Sequence, residues 1–375
     1  VVAQNSSVRH FIRRGLNQDG GFPQTDIFIV EKDGTIDPDT PIVWDFEQVT
    51  GMTAHPIDPV PLTVRGGRFT TLANRAEPKH TYYARGIVIK RSNVTIQDLQ
   101  HRITGEGEQG APYGAFLRIS DCADVTVRDS IFSGHKTYQT IGSAGRPVSM
   151  GSYDLSVWRS ARISFINCSQ FNDIHDRTRW GIMTSNYAKQ LLYDRCTLSR
   201  FDAHKGVFGA TIQDSSLGHG GIQIIGGGTF TVKNTTVRAA NFINLRNDYG
   251  STWNGDLSIQ NCTFIPTSPG PGGANILSGQ NDGTHDFGYP CQMPARISID
   301  GLRVDDSALP ASHAGTAVFG DFTPPSSGAK KEVPYPYAKT REVRLAKITI
   351  ASGKPLTISR HPEMVADMAI QSDRP

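Results

Sequence analysis

Hydrophobic and polar positions alternate in one short motif that returns along the chain. It reads Val94-Thr95-Ile96-Gln97-Asp98, Val125-Thr126-Val127-Arg128-Asp129, Ile163-Ser164-Phe165-Ile166-Asn167, Ala210-Thr211-Ile212-Gln213-Asp214, Phe230-Thr231-Val232-Lys233-Asn234 and Leu257-Ser258-Ile259-Gln260-Asn261, with looser copies at 191–196 and 297–300. Period-two alternation predicts a strand, and the Asp or Asn after it predicts a turn. Return of the pair every ~20 to 40 residues predicts a solenoid, because a copy that cannot bury its apolar side alone must stack on the next. The expected fold is therefore all-β, a single-stranded parallel β-helix. Equivalent positions of successive coils should form columns about 4.8 Å apart.

Cys168, Cys196 and Cys262 occupy the slot that holds Ser130, Ser215 and Thr235 in other copies, so they are expected to be small buried side chains. Free thiols are expected in preference to a Cys168 to Cys196 bridge, since stacking sets the spacing but not the direction a bridge demands. The Asn-X-Ser/Thr triplets at Asn167, Asn234 and Asn261 fall on the same turn and read as an internal polar ladder, not as glycan acceptors.

The solenoid is expected over 59–350. Residues 1–58 read as an N-terminal cap over the first coil, with strand-like pieces at 26–31 and 41–46 and a short helical turn near 7–16. A Gly/Pro/Asn/Asp-rich loop insertion is expected at 267–294, a Pro- and Lys-rich loop at 324–337, and a polar C-terminal tail over 351–375.

Composition fits many short strands joined by turns: 38 Gly and 22 Pro in 375 residues, with 19% charged. A net charge of +3 is small for this length and argues against nucleic acid as the main partner. No apolar run approaches the ~20 residues of a membrane-spanning helix. The beginning at Val1 reads as a processed chain. Phosphate-loop, Cys-X-X-Cys and Gly-X-Ser-X-Gly motifs are all missing.

Candidate chemistry comes from laying coils over one another. Asp202-Ala203-His204-Lys205-Gly206-Val207 aligns without a gap on Leu217-Gly218-His219-Gly220-Gly221-Ile222, which predicts His204 and His219 as column neighbours. Arg179 falls in the same column, His175 and Asp176 precede it, and His135 and Lys136 hold the equivalent turn one coil earlier. Alternation after Phe242 turns Asn244, Arg246 and Asp248 outward, with Tyr249 and Trp253 beside them as a sugar platform. Like-charged neighbours at coil spacing are unfavourable on a merely solvated face, so this cluster predicts a functional site.

The repeated strand and Asn/Asp turn resembles the pectate-lyase-like superfamily of right-handed β-helices, which holds polysaccharide lyases, glycoside hydrolases, epimerases and phage tailspikes. Gly218-His219-Gly220 is similar to a motif of polygalacturonase-like hydrolases, whereas the paired Asp upstream and Arg-X-Lys downstream of those enzymes are missing. The resemblance implies a groove along the helix side that binds an extended glycan. The expected activity is β-elimination on a uronate-containing polysaccharide, with His204, Lys205, His219, Arg246 and Asp202 as catalytic residues. Hydrolysis by an Asp pair, and a non-catalytic glycan-binding solenoid, are the alternatives. No cofactor is expected to be required, although a divalent cation is compatible with Asp202. The partner is a polysaccharide or oligosaccharide, the chain a monomer or homotrimer, and the location secreted or periplasmic.

Overall fold

The computed structural model describes residues 1–15, 17–73, 82–107, 113–268, 273–279, 286–320, 338–359 and 367–373. The chain is all-β, and its main feature is a 24-stranded sheet system in which each strand pairs in parallel with the strand one turn of chain later. This pattern is compatible with a β-helix. We call each turn of the chain a rung.

The alternating motif sets the register of one face. Val94, Val125, Ile163, Leu191, Ala210, Phe230, Leu257, Ile297 and Val343 are consecutive partners down a single column. Each is at most 3% exposed. Burying each of the larger side chains is worth about 1.5–3 kcal/mol, so the column holds the rungs in step. Turns after these strands place Asp98, Asp129, Asn167, Asp214, Asn234 and Asn261 at φ between 48° and 59°. Asp and Asn tolerate that left-handed geometry because their short side chains bond locally.

The residue after each turn points inward, as expected: Ser130, Cys168, Cys196, Ser215, Thr235 and Cys262 are buried, and all five cysteines of the chain are free thiols. The Asn ladder is external, contrary to the expectation. Asn167, Asn234 and Asn261 are exposed, and Asn167 and Asn234 donate outside the wall to Asp129 and Asp214 at 2.7 and 2.9 Å. A left-handed turn residue leads the strand around a corner, which throws its side chain outward.

Three faces succeed one another in each rung. The third contains Ile87–Ile89, Leu117–Ser120, Leu155–Trp158, Met183–Asn186, the middle of the long strands Thr197–Gln213 and Ser216–Lys233, then Asn241–Leu245.

Several boundaries differ from the sequence expectation. Parallel pairing begins at Leu62–Arg65 and reaches Ala369–Ser372, so part of the expected tail belongs to the sheet. Ala274–Ser278, inside the expected insertion, is a rung strand paired on both sides. The expected loop at 324–337 lies outside the described residues. Near the N-terminus Val2–His10 is a strand, not a helical turn, and pairs antiparallel with Phe22–Ile27 and Gly51–Thr53. No strand forms at 41–46.

Nor does this N-terminal sheet cap the first rung, where Leu62, Phe69 and Leu72 are exposed. It docks on the flank of the middle rungs instead. Lys189 pairs with Asp26 at 2.6 Å, both side chains nearly solvent-free, and Arg162 reaches Asp37 at 3.4 Å. A buried lysine that keeps its charge needs a carboxylate beside it, and Asp26 on this sheet supplies it.

Candidate functional site

Along the third face, outward positions of successive rungs line up. Val88, Arg118, Ser156, Thr184, Asp202, Gln223 and Asn244 share one column, since Val88 pairs with Arg118 and so on to Asn244. Two residues further on, Lys90, Ser120, Trp158 and Asn186 lead to His204 and Lys205. The first column as far as Thr184, together with the second, floors a cleft of about 720 Å³. Its walls are Tyr82, Ser149, Met150, Tyr153 and Trp180 on one side and Arg13, Asn17, Arg159, Arg246 and Tyr249 on the other.

A β-bulge puts two candidate residues into this groove together. Ser185 pairs with Ala203 but Asn186 pairs with Lys205, so His204 is one extra residue in its strand. Both His204 and Lys205 then line the cleft, where regular alternation would bury one of them. Gly206 follows at φ 59°, and a Cβ there would lie 2.9 Å from the Phe11 ring. Only glycine fits both requirements.

Nδ1 of His204 donates to Oδ1 of Asn186 at 2.9 Å, which leaves Nε2 without a proton or a protein partner among the described residues. Burial, helped by the nearby Arg246 and Lys205 cations, holds this imidazole well below its usual value, so the ring is neutral. Lys205 is buried with no carboxylate partner among the described residues. Its ammonium lies 3.8 Å from the centroid of Phe22 and 5.2 Å from that of Tyr249. Burial lowers it to about 7.

Behind the groove runs a chain of alternating charges. Arg200 pairs with Asp202 at 2.7 Å, Asp202 with Arg246 at 2.9 Å, Arg246 with Asp248 at 2.9 Å, and Asp248 with Arg13 at 2.6 Å. Burial alone would raise the Asp248 carboxyl, but Arg246 and Arg13 overcome that and hold it well below the usual range. Arg246 gives Nη1 to both oxygens of Asp202 and Nε and Nη2 to Asp248. Asp202, expected among the catalytic residues, has its carboxylate held by Arg200 and Arg246 behind the groove and does not line it.

Other expected residues lie apart. His219 is not the column neighbour of His204, because Arg200 pairs with Gly221 and Asp202 with Gln223. The pairing is offset by six residues from the gap-free alignment, so that both strands can bury Phe201 against Ile222. His219 shares a separate recess of about 270 Å³ with His175, Arg177 and Arg238. Gly218 there serves packing, since a Cβ would stand 1.8 Å from the Ile174 carbonyl oxygen. Arg179 sits opposite Lys136 and bonds Asp176 and Glu106 at 3.1 and 3.4 Å.

His135 is 1% exposed in a buried network, 3.1 Å from Asp154, which also takes His101 at 2.8 Å and Arg85 at 3.3 Å. Asn244 donates to Gln223 at 2.6 Å. Tyr249 and Trp253 are fully buried, so neither is an exposed sugar platform. Trp253 is a core residue whose Nε1 donates to the Gly228 carbonyl at 3.0 Å. Large rings complete the rung interior at that corner, which the alternation alone does not reveal.

The aromatic surface of the groove comes from residues that the sequence reading missed: Tyr82, Tyr153, Trp158 and Trp180. Lys90 and Arg118 were missed too, and both line the cleft without an ion pair among the described residues. The signal was present, since they hold outward positions of alternating strands, but the left-handed residue after the third-face strands varies, with Asp121, Arg159 and Tyr187 at φ 57°, 45° and 51°, so no constant Asn or Asp marks them.

No described carboxylate lines the groove, whereas Arg13, Lys90, Arg118, Arg159, Lys205 and Arg246 all do. Among the described residues no group of three or more His, Cys, Asp or Glu side chains could hold a metal ion, and no helix is long and apolar enough to cross a membrane. Neither the family models nor the curated proteins contain a match to this chain.

Proposed function

We propose that this chain is a polysaccharide lyase acting on an extended uronate-containing glycan, on a single-stranded right-handed β-helix of the pectate-lyase-like kind. One observation carries the reading: a cleft that crosses successive rungs, walled by aromatic rings, offers six cations and no described carboxylate. Rings present apolar faces to pyranose C–H groups, and Lys90 and Arg118, which make no ion pair among the described residues, suit a chain of carboxylates, whereas Arg13, Arg159 and Arg246 are already paired with Asp248, Asp121 and Asp202.

β-Elimination needs a neutralised uronate carboxylate, a base for the C5 proton and an acid for the leaving oxygen. Lys205 fits the base, because a group titrating near 7 combines a populated free amine with adequate proton affinity. Its amine takes the C5 proton, the electron pair forms the C4–C5 double bond, and the C4–O bond breaks. The resulting Lys205 ammonium returns that proton to the leaving oxygen, so the step balances with no further reactant. Lys90 and Arg118 read carboxylates along the chain, and Nε2 of His204 accepts a hydrogen bond from a sugar hydroxyl. Arg246 acts as a positioning residue, because four of its five donor bonds already go to Asp202 and Asp248.

Hydrolysis by an Asp pair is disfavoured on the same grounds. It needs one carboxyl kept protonated, and Asp248 is held ionised while Asp202 is wrapped by two arginines. Incubation with a panel of uronate-containing and neutral polysaccharides tests the proposal. Ultraviolet absorbance from an unsaturated uronate supports it; new reducing ends without that absorbance would replace it with hydrolysis, and binding without turnover with a glycan-binding solenoid.

A further inference from the structure

We infer that the groove takes the end of a glycan chain and excludes its interior, an inference that rests on the uronate-binding reading of the same groove. The reason is an arch that crosses it. The N-terminal hairpin stays paired as far as His10 and Phe22, and the segment beyond brings Arg13 and Asn17 onto the groove. On the opposite wall stands a second hairpin, His135–Ile141 with Pro147–Gly151, whose Ser149 and Met150 line the same space. The two tips meet. Oγ of Ser143 donates to the Gln18 carbonyl at 2.8 Å, so protein continues over the top from wall to wall.

One end beneath the arch is closed. Arg13 is held by Asp248 at 2.6 Å, the Ile12 amide donates to the Phe287 carbonyl at 3.1 Å, and the Phe11 ring packs 5.0 Å from that of Tyr289. Lys205 stands on the rung nearest this closure. Lys90 and Arg118 stand on the first two rungs, toward the open end. From the rung of Lys90 to that of Lys205 is four steps, about 19 Å at the usual strand spacing. An interior stretch of polymer needs two exits and a lateral way in. Among the described residues this groove offers one opening and a roof, so a terminus enters end-on, its carboxylates passing Lys90 and Arg118 before the last linkage reaches Lys205.

The test uses wild-type protein and short, intermediate and long fractions of polygalacturonate and of alginate, compared at equal total uronate. Two readouts are taken on each series: the quench of tryptophan fluorescence on mixing, which reports occupancy of a groove lined by Trp158 and Trp180, and the initial rate of double-bond formation. End-on entry predicts that the half-saturating uronate concentration rises in proportion to chain length, and that the rate falls as chain ends become scarce while viscosity stays high. Half-saturation at constant total uronate for all lengths would overturn chain-end recognition yet leave the uronate reading intact. Quench in every fraction with no double bond in any would reject the lyase reading while the length dependence still decides the question of ends. No quench with either polymer would reject both.

Discussion

Nδ1 of His204 lies 2.9 Å from Oδ1 of Asn186, across the point where one extra residue enters the strand pairing. The bond fixes the tautomer and aims the unprotonated Nε2 away from Asn186. Asn186→Ala removes a neutral hydrogen bond worth about 1 kcal/mol, so turnover is expected to fall roughly tenfold or less. His204→Leu should cost more, since it removes the acceptor itself. Steady-state rates on the best polysaccharide, with circular dichroism to verify folding, check both. A merely structural role for Asn186 would lower the melting temperature and leave the pH profile unmoved.

Lys205 couples function to stability. Burial lowers it from 10.5 to about 7, so between those values the unfolded chain binds a proton that the folded chain does not. Stability therefore rises with pH across that window and is lowest below 7, where the buried amine must be charged. Lys205→Met keeps the apolar stem and removes the charge. It is expected to abolish turnover, to remove the rise, and to stabilise the protein at pH 6 by at least about 1.4 kcal/mol, the value of one pKa unit. Urea unfolding at pH 6 and pH 9 measures both.

The first face was legible in the sequence because apolar alternation and a left-handed Asn or Asp turn coincide there, and the alignment of Val94, Val125, Ile163 and Leu191 is the one observed. The third face was not, since the left-handed residue after its strands changes from Asp121 to Arg159 to Tyr187 and a bulge at His204 shifts the register. For that reason His204 and Lys205 are found on the groove while His219 is on another wall with His175. Residues far apart in sequence were beyond reach: nothing in the pattern links Arg13 to Asp248 or Asp26 to Lys189.

Arg246 holds two buried carboxylates at once. Arg246→Ala leaves Asp202 without one partner and Asp248 with Arg13 alone, and breaking a buried pair in this way typically costs about 3–5 kcal/mol. The melting temperature should drop markedly, and the urea midpoint with it. A variant that loses turnover at unchanged stability would give Arg246 a direct role in the reaction.

Arg118 is an exposed groove cation with no ion pair among the described residues, so its expected contribution is to substrate attraction. Arg118→Ala should raise KM several-fold with kcat nearly constant, the mark of binding shared by ground and transition states. The difference from wild type should shrink as salt is raised from low ionic strength to about 0.15 M, where the screening length is near 8 Å. A fall in kcat alone would contradict this.

Ultraviolet absorbance of the reaction of wild type and Lys205→Met with the same uronate polymer bears most directly on the whole account. The account predicts growing absorbance with wild type, lost as pH falls through about 7, and none with the variant although it is folded. Full elimination activity in Lys205→Met, or glycan cleavage by wild type without a double bond, would contradict it.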